Sequence, residues 1–153
     1  MELFRIARPP YHRDLSGRGA QLVGGRWNNI GVAVVYLASS RALAALEVLA
    51  HTPLKYLGQT DLRIITLETS LEGMISAISD NDLPPKWYEP VPDPYLAKMG
   101  DDFVAELSTP LLRVPSALMP WEYNYLLNPA HPKAKEMKII DEQRWKPDPR
   151  LAT

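Results

Sequence analysis

Cysteine is absent from the 153 residues of this chain, which excludes disulfide bonds, thiol nucleophiles and thiolate metal sites. Neither sign of charge is in clear excess, because 17 Lys and Arg face 18 Asp and Glu. The chain as a whole lacks the strongly basic character typical of nucleic-acid-binding proteins, so we expect no direct nucleic-acid partner. The histidines, His12, His51 and His131, do not have the spacing of metal ligands, and no metal site is predicted.

Long apolar runs are also missing, since none approaches the ~20 residues that a membrane helix needs. The first ten residues, MELFRIARPP, lack the basic head and apolar stretch of a signal peptide. We therefore expect a soluble, cytoplasmic protein with no membrane partner. The length favours a single domain over residues 1–153, and the 46% hydrophobic and 23% charged composition is typical of a globular protein.

Proline, in contrast, is abundant at 15 residues, about twice its average usage. Because proline fixes φ and removes a backbone donor, long helices are expected to be scarce, and many short elements should be joined by ordered loops. The stretch PPKWYEPVPDP (84–94) is predicted to be such a loop, with a possible role as a lid.

The apolar patterns predict an α+β fold with a mixed or antiparallel sheet core and small flanking helices. A helix is predicted at 41–50, capped by Ser39 or Ser40 and ended by Thr52–Pro53, and a second one at 98–108. Residues 121–133 are mixed, with turns expected at the prolines. Strands are predicted at 3–7, 32–38, 62–69, 111–119 with an interruption at Pro115, and 137–140.

Glu47 is the one non-apolar residue between Ala42 and Ala50. The apolar residues around it occupy several sides of the helix, which predicts that the helix is largely buried. A buried carboxylate needs a cationic partner, a proton or a functional cleft. The alternative is that Glu47 lies on a single solvent-facing strip, which is ordinary for a short helix.

Arg26 lies in GGRWNNIG (24–31), between glycines and a strand. Glycines let the backbone approach a ligand closely, and the forked guanidinium suits phosphate. Trp27 beside it can stack on a ligand or pack in the core. The segment is neither a Walker loop nor a Rossmann fingerprint, and a structural turn with a surface arginine remains the alternative.

Three further residues have both a functional and a structural interpretation. Tyr36 in the middle of a strand is either a core aromatic or a surface for stacking a flat ring. Ser116 has no nucleophile-elbow sequence around it and is otherwise a structural serine. Arg5 alternates with Phe4 and Ile6 on the first strand, where an exposed arginine is ordinary.

These residues together resemble the RES-domain family, which is named for Arg, Glu and Ser, here Arg26, Glu47 and Ser116. The resemblance spans most of the chain in the expected order, which is more specific than any one motif. It is carried by RIARPPY (5–11), GA (19–20), GGRWNNIG (24–31), VVYLASS (34–40), ALAALEVL (42–49), VPSAL (114–118) and NYLLNPAHP (124–132).

The resemblance implies a toxin of a bacterial toxin–antitoxin pair with a fold similar to the ADP-ribosyltransferase core. RES toxins deplete NAD⁺ by hydrolysis or phosphorolysis, and one branch is associated with ADP-ribosylation of a protein. The usual antitoxin has an Xre-like DNA-binding region and a toxin-binding tail. NAD⁺ would be the substrate, with no separate cofactor. In many ADP-ribosyltransferases the catalytic Glu lies on a strand, whereas Glu47 falls in a helical pattern, so fold alone does not transfer its role.

Cleavage of the nicotinamide–ribose bond develops positive charge on the ribose, while nicotinamide leaves as a neutral group. An ionised Glu47 can accept hydrogen bonds from ribose hydroxyls and stabilise that charge. Arg26, with Arg5, can bind the diphosphate or an incoming phosphate. Tyr36 can stack on nicotinamide or fix the ribose, and Ser116 can orient Glu47 or contact the nicotinamide side.

Trp27 and Asn124 complete the predicted substrate-binding residues.

The sequence leaves three activities open. The first is NAD⁺ hydrolysis or phosphorolysis, the second is transfer of ADP-ribose to a protein, and the third is a non-enzymatic binding module. Near-neutral charge disfavours a nucleic-acid version of the third.

Overall fold

A seven-stranded sheet forms the centre of the fold within residues 1–152, the part of the chain that the computed structural model describes. The strand order is β4-β5-β6-β2-β1-β3-β7, and β4 pairs with β5 in parallel while the other described neighbours are antiparallel. The predicted α+β class is confirmed. The strands are β1 Glu2–Ala7, β2 Val35–Ala38, β3 Leu62–Glu68, β4 Ile75–Ala77, β5 Leu111–Pro115, β6 Tyr123–Leu127 and β7 Lys138–Trp145.

The centre of this sheet is joined by very little hydrogen bonding. Strands β1 and β2 pair at a single position, Phe4 with Ala38, whereas β1 and β3 pair at six. The sheet therefore consists of two well-paired halves, β4-β5-β6-β2 and β1-β3-β7, which meet at this one pair. Gly17, with φ +73°, packs against the backbone of Val34, the residue before β2.

Short helices flank the sheet, as the proline content predicts. They are α1 Arg18–Val23, α2 Arg41–His51, α3 Leu54–Leu57 and α4 Pro94–Glu106, with short 3₁₀ turns at Tyr11–Arg13, Asp80–Asp82, Ala134–Glu136 and Pro149–Ala152. Along residues 1–152, none of these helices combines the length and the apolar character needed to span a bilayer.

The ends of the two longer helices follow capping chemistry. Ser40 begins α2, because its side chain accepts from the backbone N–H of Leu43 at 3.1 Å, which confirms the predicted cap. Asp93 caps α4 by accepting from the N–H of Tyr95 at 2.9 Å. Pro94 then occupies the first helical turn, where its missing N–H costs no helical bond, so α4 begins before the predicted residue 98.

Several elements were not predicted from the sequence, and the bounds of others differ from the prediction. Helix α1 lies in the glycine-rich region that was expected to be turns, and β6 lies within the region 121–133 that was expected to be mixed. The strand predicted at 32–38 begins at Val35, and the one predicted at 111–119 ends at Pro115. Strand β7 continues to Trp145, because its pairing with β3 extends the hydrogen-bonded ladder beyond the apolar run.

The sheet has two covered faces. On one face α2 packs over β1 and β2, and α4 packs over β5 and β6. The other face is covered by Leu71 and Met137 and by neighbouring partly buried residues. Tyr36 and Ala38 alternate with Val35 and Leu37 along β2, so Tyr36 lies on the helix-covered face. The helix-covered face therefore carries Tyr36 of β2 and Asn124 of β6, two of the predicted site residues.

Candidate functional site

Arg26 lies in a tight turn that ends at Asn28. The backbone N–H of Gly25 donates to the carbonyl of Asn28 at 2.9 Å, so Arg26 and Trp27 are the two central residues of the turn. The Arg26 guanidinium donates from Nη1 to the carbonyl of Trp87 at 2.6 Å and from Nη2 to that of Glu89 at 2.9 Å. The proline-rich segment 84–94 therefore lies against this arginine.

The electrostatic surroundings of Arg26 connect it to two other predicted site residues. Burial lowers the pKa of the Arg26 guanidinium, and the nearby Glu47 carboxylate and Tyr36 hydroxyl oppose that shift. This three-way proximity agrees with the grouping that the sequence predicted. An arginine beside a carboxylate, with its fork turned to carbonyl oxygens, is suited to hold an anionic ligand next to that carboxylate.

Tyr36 holds the Arg26 turn through its hydroxyl. The hydroxyl donates to Asn28 Oδ1 at 2.8 Å and accepts from the backbone N–H of Trp27 at 3.1 Å. Burial raises the pKa of Tyr36 well above its ordinary value, and the hydrogen bond from Trp27 opposes the shift only in part. Tyr36 therefore stays protonated at any physiological pH, with its hydroxyl committed to the turn.

Glu47 is half-buried on α2 and is held by a side chain of β6. Asn124 Nδ2 donates to Glu47 Oε1 at 2.6 Å, and Asn124 reaches this position because it pairs with Ala38 of β2. The prediction that α2 is largely buried was wrong, since only Leu43 and Ala44 are fully buried on it. The helix packs over the central strands β1 and β2, and its residues that face away from these strands remain partly open to solvent.

Ser116 is buried in the turn that joins β5 to β6. Its hydroxyl accepts from the backbone N–H groups of Leu118 and Met119, both at 3.1 Å, and its own N–H donates to the carbonyl of Glu122. The Glu47 carboxylate is paired with Asn124 rather than with Ser116. Ser116 thus stabilises the turn that leads into β6, the strand that carries Asn124.

Arg5 points away from Arg26 and Glu47, although it lines one cavity with Tyr36. Phe4 packs with α2, and side chains alternate along a strand, so Arg5 points to the opposite face of the sheet. Its guanidinium donates to the carbonyl of Asp14, and burial lowers its pKa. It borders a cavity of about 100 Å³ that is also lined by Asp14, Gly17, Arg18, Gly19, Ala20, Val34, Val35 and Tyr36. Tyr36 is the residue that connects this cavity with the Arg26 turn.

Trp27 packs in the core, the second of the two alternatives that the sequence left for it. It is 3% exposed and lies among Leu96, Phe103, Leu112, Val114 and Leu126. Its ring centroid is 6.4 Å from that of Trp87. Because its ring is enclosed by α4, β5 and β6, Trp27 anchors the turn instead of presenting a surface to a ligand.

Helix α4 packs directly against the turn, a contact that was not predicted from the sequence. A Cβ on Gly100 would lie 1.7 Å from the carbonyl oxygen of Trp27, so the helix backbone touches the turn directly. Asp101 accepts from the backbone N–H of Asn29 at 3.0 Å and from its Nδ2 at 2.7 Å. A glycine inside a helical pattern is the one signal that could have indicated this close approach.

The family model for the RES domain matches residues 2–148. The chain belongs to the RES-domain family. The resemblance of its sequence to this family is thereby confirmed, and Arg26, Glu47 and Ser116 are the residues on which the prediction placed the family's Arg, Glu and Ser.

Several relatives of this RES-domain chain are named as toxins. The Prs ADP-ribosylating toxin of Sphingobium sp. (strain YBL2) is 41% identical over 140 residues, which cover 90% of this chain and 86% of the relative. Toxin Res of Pseudomonas putida (strain KT2440) is 40% identical over 153 residues, covering 99% of both chains. The chain thus belongs to a family of toxins and is similar to them over nearly its whole length.

A solved structure supports the fold. A chain of the crystal structure of the M. tuberculosis MbcT–MbcA toxin–antitoxin complex superposes with a TM-score of 0.76 at 20% sequence identity, covering 99% of this chain and 86% of that chain. This likeness supports the α+β architecture described above.

Proposed function

We propose that this chain is the toxin of a toxin–antitoxin pair and that it cleaves the nicotinamide–ribose bond of NAD⁺. The observation that carries the proposal is the fixed carboxylate of Glu47, held by Asn124 at 2.6 Å and electrostatically coupled to Arg26. A carboxylate with one oxygen already oriented by the protein is prepared for a reaction in which positive charge develops on a sugar.

In this proposal Glu47 acts on the ribose. Asn124 donates to Oε1, so Oε2 can accept from a ribose hydroxyl. As the bond to nicotinamide breaks, the ribose gains positive charge and the nearby carboxylate stabilises it. Nicotinamide leaves as a neutral group, so the site needs no strong acid. The electrons of the broken bond leave with nicotinamide, and water or phosphate then supplies the new bond to the ribose carbon.

Arg26 binds the diphosphate in the same proposal. Its two donors now meet two carbonyl oxygens, those of Trp87 and Glu89, and two phosphate oxygens present the same kind of acceptor with greater charge. Binding of NAD⁺ would therefore replace these carbonyls and displace segment 84–94 from Arg26. The Tyr36 hydroxyl is already engaged, so we assign its ring, rather than its proton, to contact with substrate. Arg5 points to the opposite face of the sheet and donates to the carbonyl of Asp14, so the diphosphate contact is assigned to Arg26 and the predicted role of Arg5 in substrate binding is not part of this proposal.

Incubation of the purified chain with NAD⁺, with and without phosphate, tests the proposal and identifies the acceptor. ADP-ribose as product indicates water, and ADP-ribose 1″-phosphate indicates phosphate. Intact NAD⁺ in both reactions would exclude hydrolysis and phosphorolysis together.

A second candidate function is transfer of ADP-ribose to a protein. It is favoured by the relative named Prs ADP-ribosylating toxin, which is 41% identical to this chain. The exposed side chains of Tyr88 and Val91 on segment 84–94 offer a surface beside Arg26 for a protein acceptor. NAD⁺ labelled in the adenylate, added with the toxin to a cell lysate, distinguishes the two functions. Label in the protein fraction supports transfer, whereas label confined to small molecules excludes it.

We also propose an antitoxin partner, with an Xre-like DNA-binding region as the resemblance implies. The M. tuberculosis structure with a similar fold is described as a toxin–antitoxin complex, which supports this pairing. Co-expression with the product of the adjacent gene, followed by affinity purification of the toxin, tests the pairing. A stable complex with suppressed NAD⁺ cleavage is expected, and separate elution of active toxin would contradict it.

A further inference from the structure

Asn28 is a buried polar residue that the proposed chemistry does not use directly. It is 1% exposed, and all polar atoms of its side chain are engaged. Nδ2 donates to the carbonyls of Ala20 at 2.9 Å, Val32 at 3.0 Å and Asn29 at 3.2 Å. Oδ1 accepts from the Tyr36 hydroxyl at 2.8 Å. One amide therefore ties α1, the loop before β2 and β2 itself to a single point.

Asn28 is also the last residue of the turn that presents Arg26. The Asn28 carbonyl accepts from Gly25 N–H at 2.9 Å, and the Tyr36 hydroxyl that Asn28 binds also accepts from Trp27 N–H at 3.1 Å. The Gly25 side of Arg26 is thus fixed by the main chain of Asn28, and the Trp27 side is fixed by a hydroxyl that the Asn28 side chain orients. The space is tight as well, because a Cβ on Gly25 would lie 2.6 Å from the Tyr36 hydroxyl and 3.0 Å from Asn28 Oδ1.

We propose that Asn28 is a positioning residue for substrate binding, which fixes the direction of Arg26 by holding both Tyr36 and the turn. The inference rests on the proposed function, in which Arg26 binds the diphosphate of NAD⁺. A shift of Arg26 by about 1 Å is enough to weaken a two-pronged contact to phosphate strongly. Asn28 itself is buried with its polar atoms engaged, so it offers no free group to a substrate.

A double-mutant cycle on substrate affinity tests this role. We measure KM and kcat for NAD⁺ cleavage, together with Kd for ADP-ribose by calorimetry, in the wild type, Asn28→Ala, Arg26→Ala and the double variant. The expected result is an increase of about tenfold or more in KM and Kd for Asn28→Ala, with a smaller change in kcat. In the Arg26→Ala background the same substitution should change KM and Kd less than twofold, because its effect acts through Arg26. Equal effects in both backgrounds would overturn the proposal.

Asn128 provides a matched control for loss of stability. It is also fully buried, donates from Nδ2 to the carbonyl of Val104 at 3.0 Å and accepts at Oδ1 from Ala130 N–H at 3.1 Å. Asn128→Ala should lower the melting temperature, as Asn28→Ala does, and leave KM unchanged. A comparable rise in KM in both variants would show that general destabilisation explains the effect.

Gly25→Ala keeps the proposal testable if Asn28→Ala does not fold. It removes no polar group but pushes the Tyr36 hydroxyl from Asn28, and the same pattern of KM and Kd is expected. Unchanged values in a folded Gly25→Ala protein would contradict the inference. A wild-type protein that neither cleaves NAD⁺ nor binds ADP-ribose would overturn the proposed function, and this inference with it. An active wild type with an additive cycle would overturn the inference alone.

Discussion

Asn124 on β6 donates a hydrogen bond to the Glu47 carboxylate on α2 across 2.6 Å, so the sheet itself orients the acidic side chain. Glu47→Gln keeps the acceptor oxygen for Asn124 and removes the charge. We expect NAD⁺ cleavage to fall at least ~100-fold, a loss typical of removing one electrostatic contribution from a preorganised site. Initial rates and circular dichroism, measured on the same preparation, check activity and fold together.

Glu106→Gln is the control for this variant, because Glu106 is exposed at the end of α4. It should retain the wild-type rate. Full activity in folded Glu47→Gln would remove Glu47 from the mechanism.

Arg26→Lys should release the proline-rich segment as well as weaken substrate binding. A lysine ammonium is a compact charge and cannot span the carbonyls of Trp87 and Glu89 as the guanidinium does. We expect a higher KM for NAD⁺ and faster hydrogen exchange and proteolysis within residues 86–90. Arg144→Lys, on the exposed edge of β7, serves as the control. Unchanged exchange in the segment would show that Arg26 does not hold it in place.

The raised pKa of Tyr36 predicts that its contribution to the stability of the protein falls at alkaline pH. Burial raises its pKa above the ordinary value of 10.0, so the unfolded chain loses the phenolic proton before the folded chain does. The contribution of Tyr36 to stability is therefore complete below pH 10 and is lost progressively as the pH rises beyond it.

Tyr36→Phe isolates this contribution. At pH 7 the variant should be less stable by about 1–3 kcal/mol, because Asn28 Oδ1 and Trp27 N–H lose their partner. The difference in melting temperature between the wild type and Tyr36→Phe should become smaller as the pH rises above 10. Thermal melts from pH 7 to pH 11 provide the measurement, and parallel curves would contradict the assignment.

Gly100→Ala should destabilise the protein although alanine favours helices. The added Cβ would lie 1.7 Å from the Trp27 carbonyl oxygen, so α4 or the Arg26 turn must move. Gly19→Ala is the matched helical control, because a Cβ added at Gly19 would meet nothing within 4 Å. We expect Gly19→Ala to raise stability by about 0.5–1 kcal/mol and Gly100→Ala to lower both stability and NAD⁺ affinity. Equal shifts in melting temperature would show that the close contact has no consequence.

Local sequence signals were sufficient where one element determines its own structure. Ser40 followed by an apolar run predicted α2, and the β-branched run at 62–69 predicted β3. Strand β6 was missed because YNYLL mixes aromatic and polar residues and is followed by Pro129 and Pro132. Its strand geometry comes from pairing with β2 and β5, and partners distant in the chain leave no periodic pattern in the sequence.

The candidate site was also predicted only in part. The sequence grouped Arg26, Tyr36 and Glu47, and the structure brings these residues near one another. It did not indicate that Asn124 binds Glu47, because their contact joins positions 77 residues apart. The separation of Arg5 from Arg26 and Glu47 depends on which face of β1 is covered by α2, and alternation alone does not identify that face.

The pairing of the sheet also bears on how a growing chain acquires its site during translation. Arg26, Tyr36 and Glu47 are synthesised early, but Asn124 lies on β6, and β2 has no partner on that side until β6 is made. In the other half, β3 has no partner on its outer side until β7, Lys138–Trp145, is made. The Glu47 carboxylate is therefore oriented only after β6 has left the ribosome and paired with β2, and a chain truncated before Asn124 lacks the completed site.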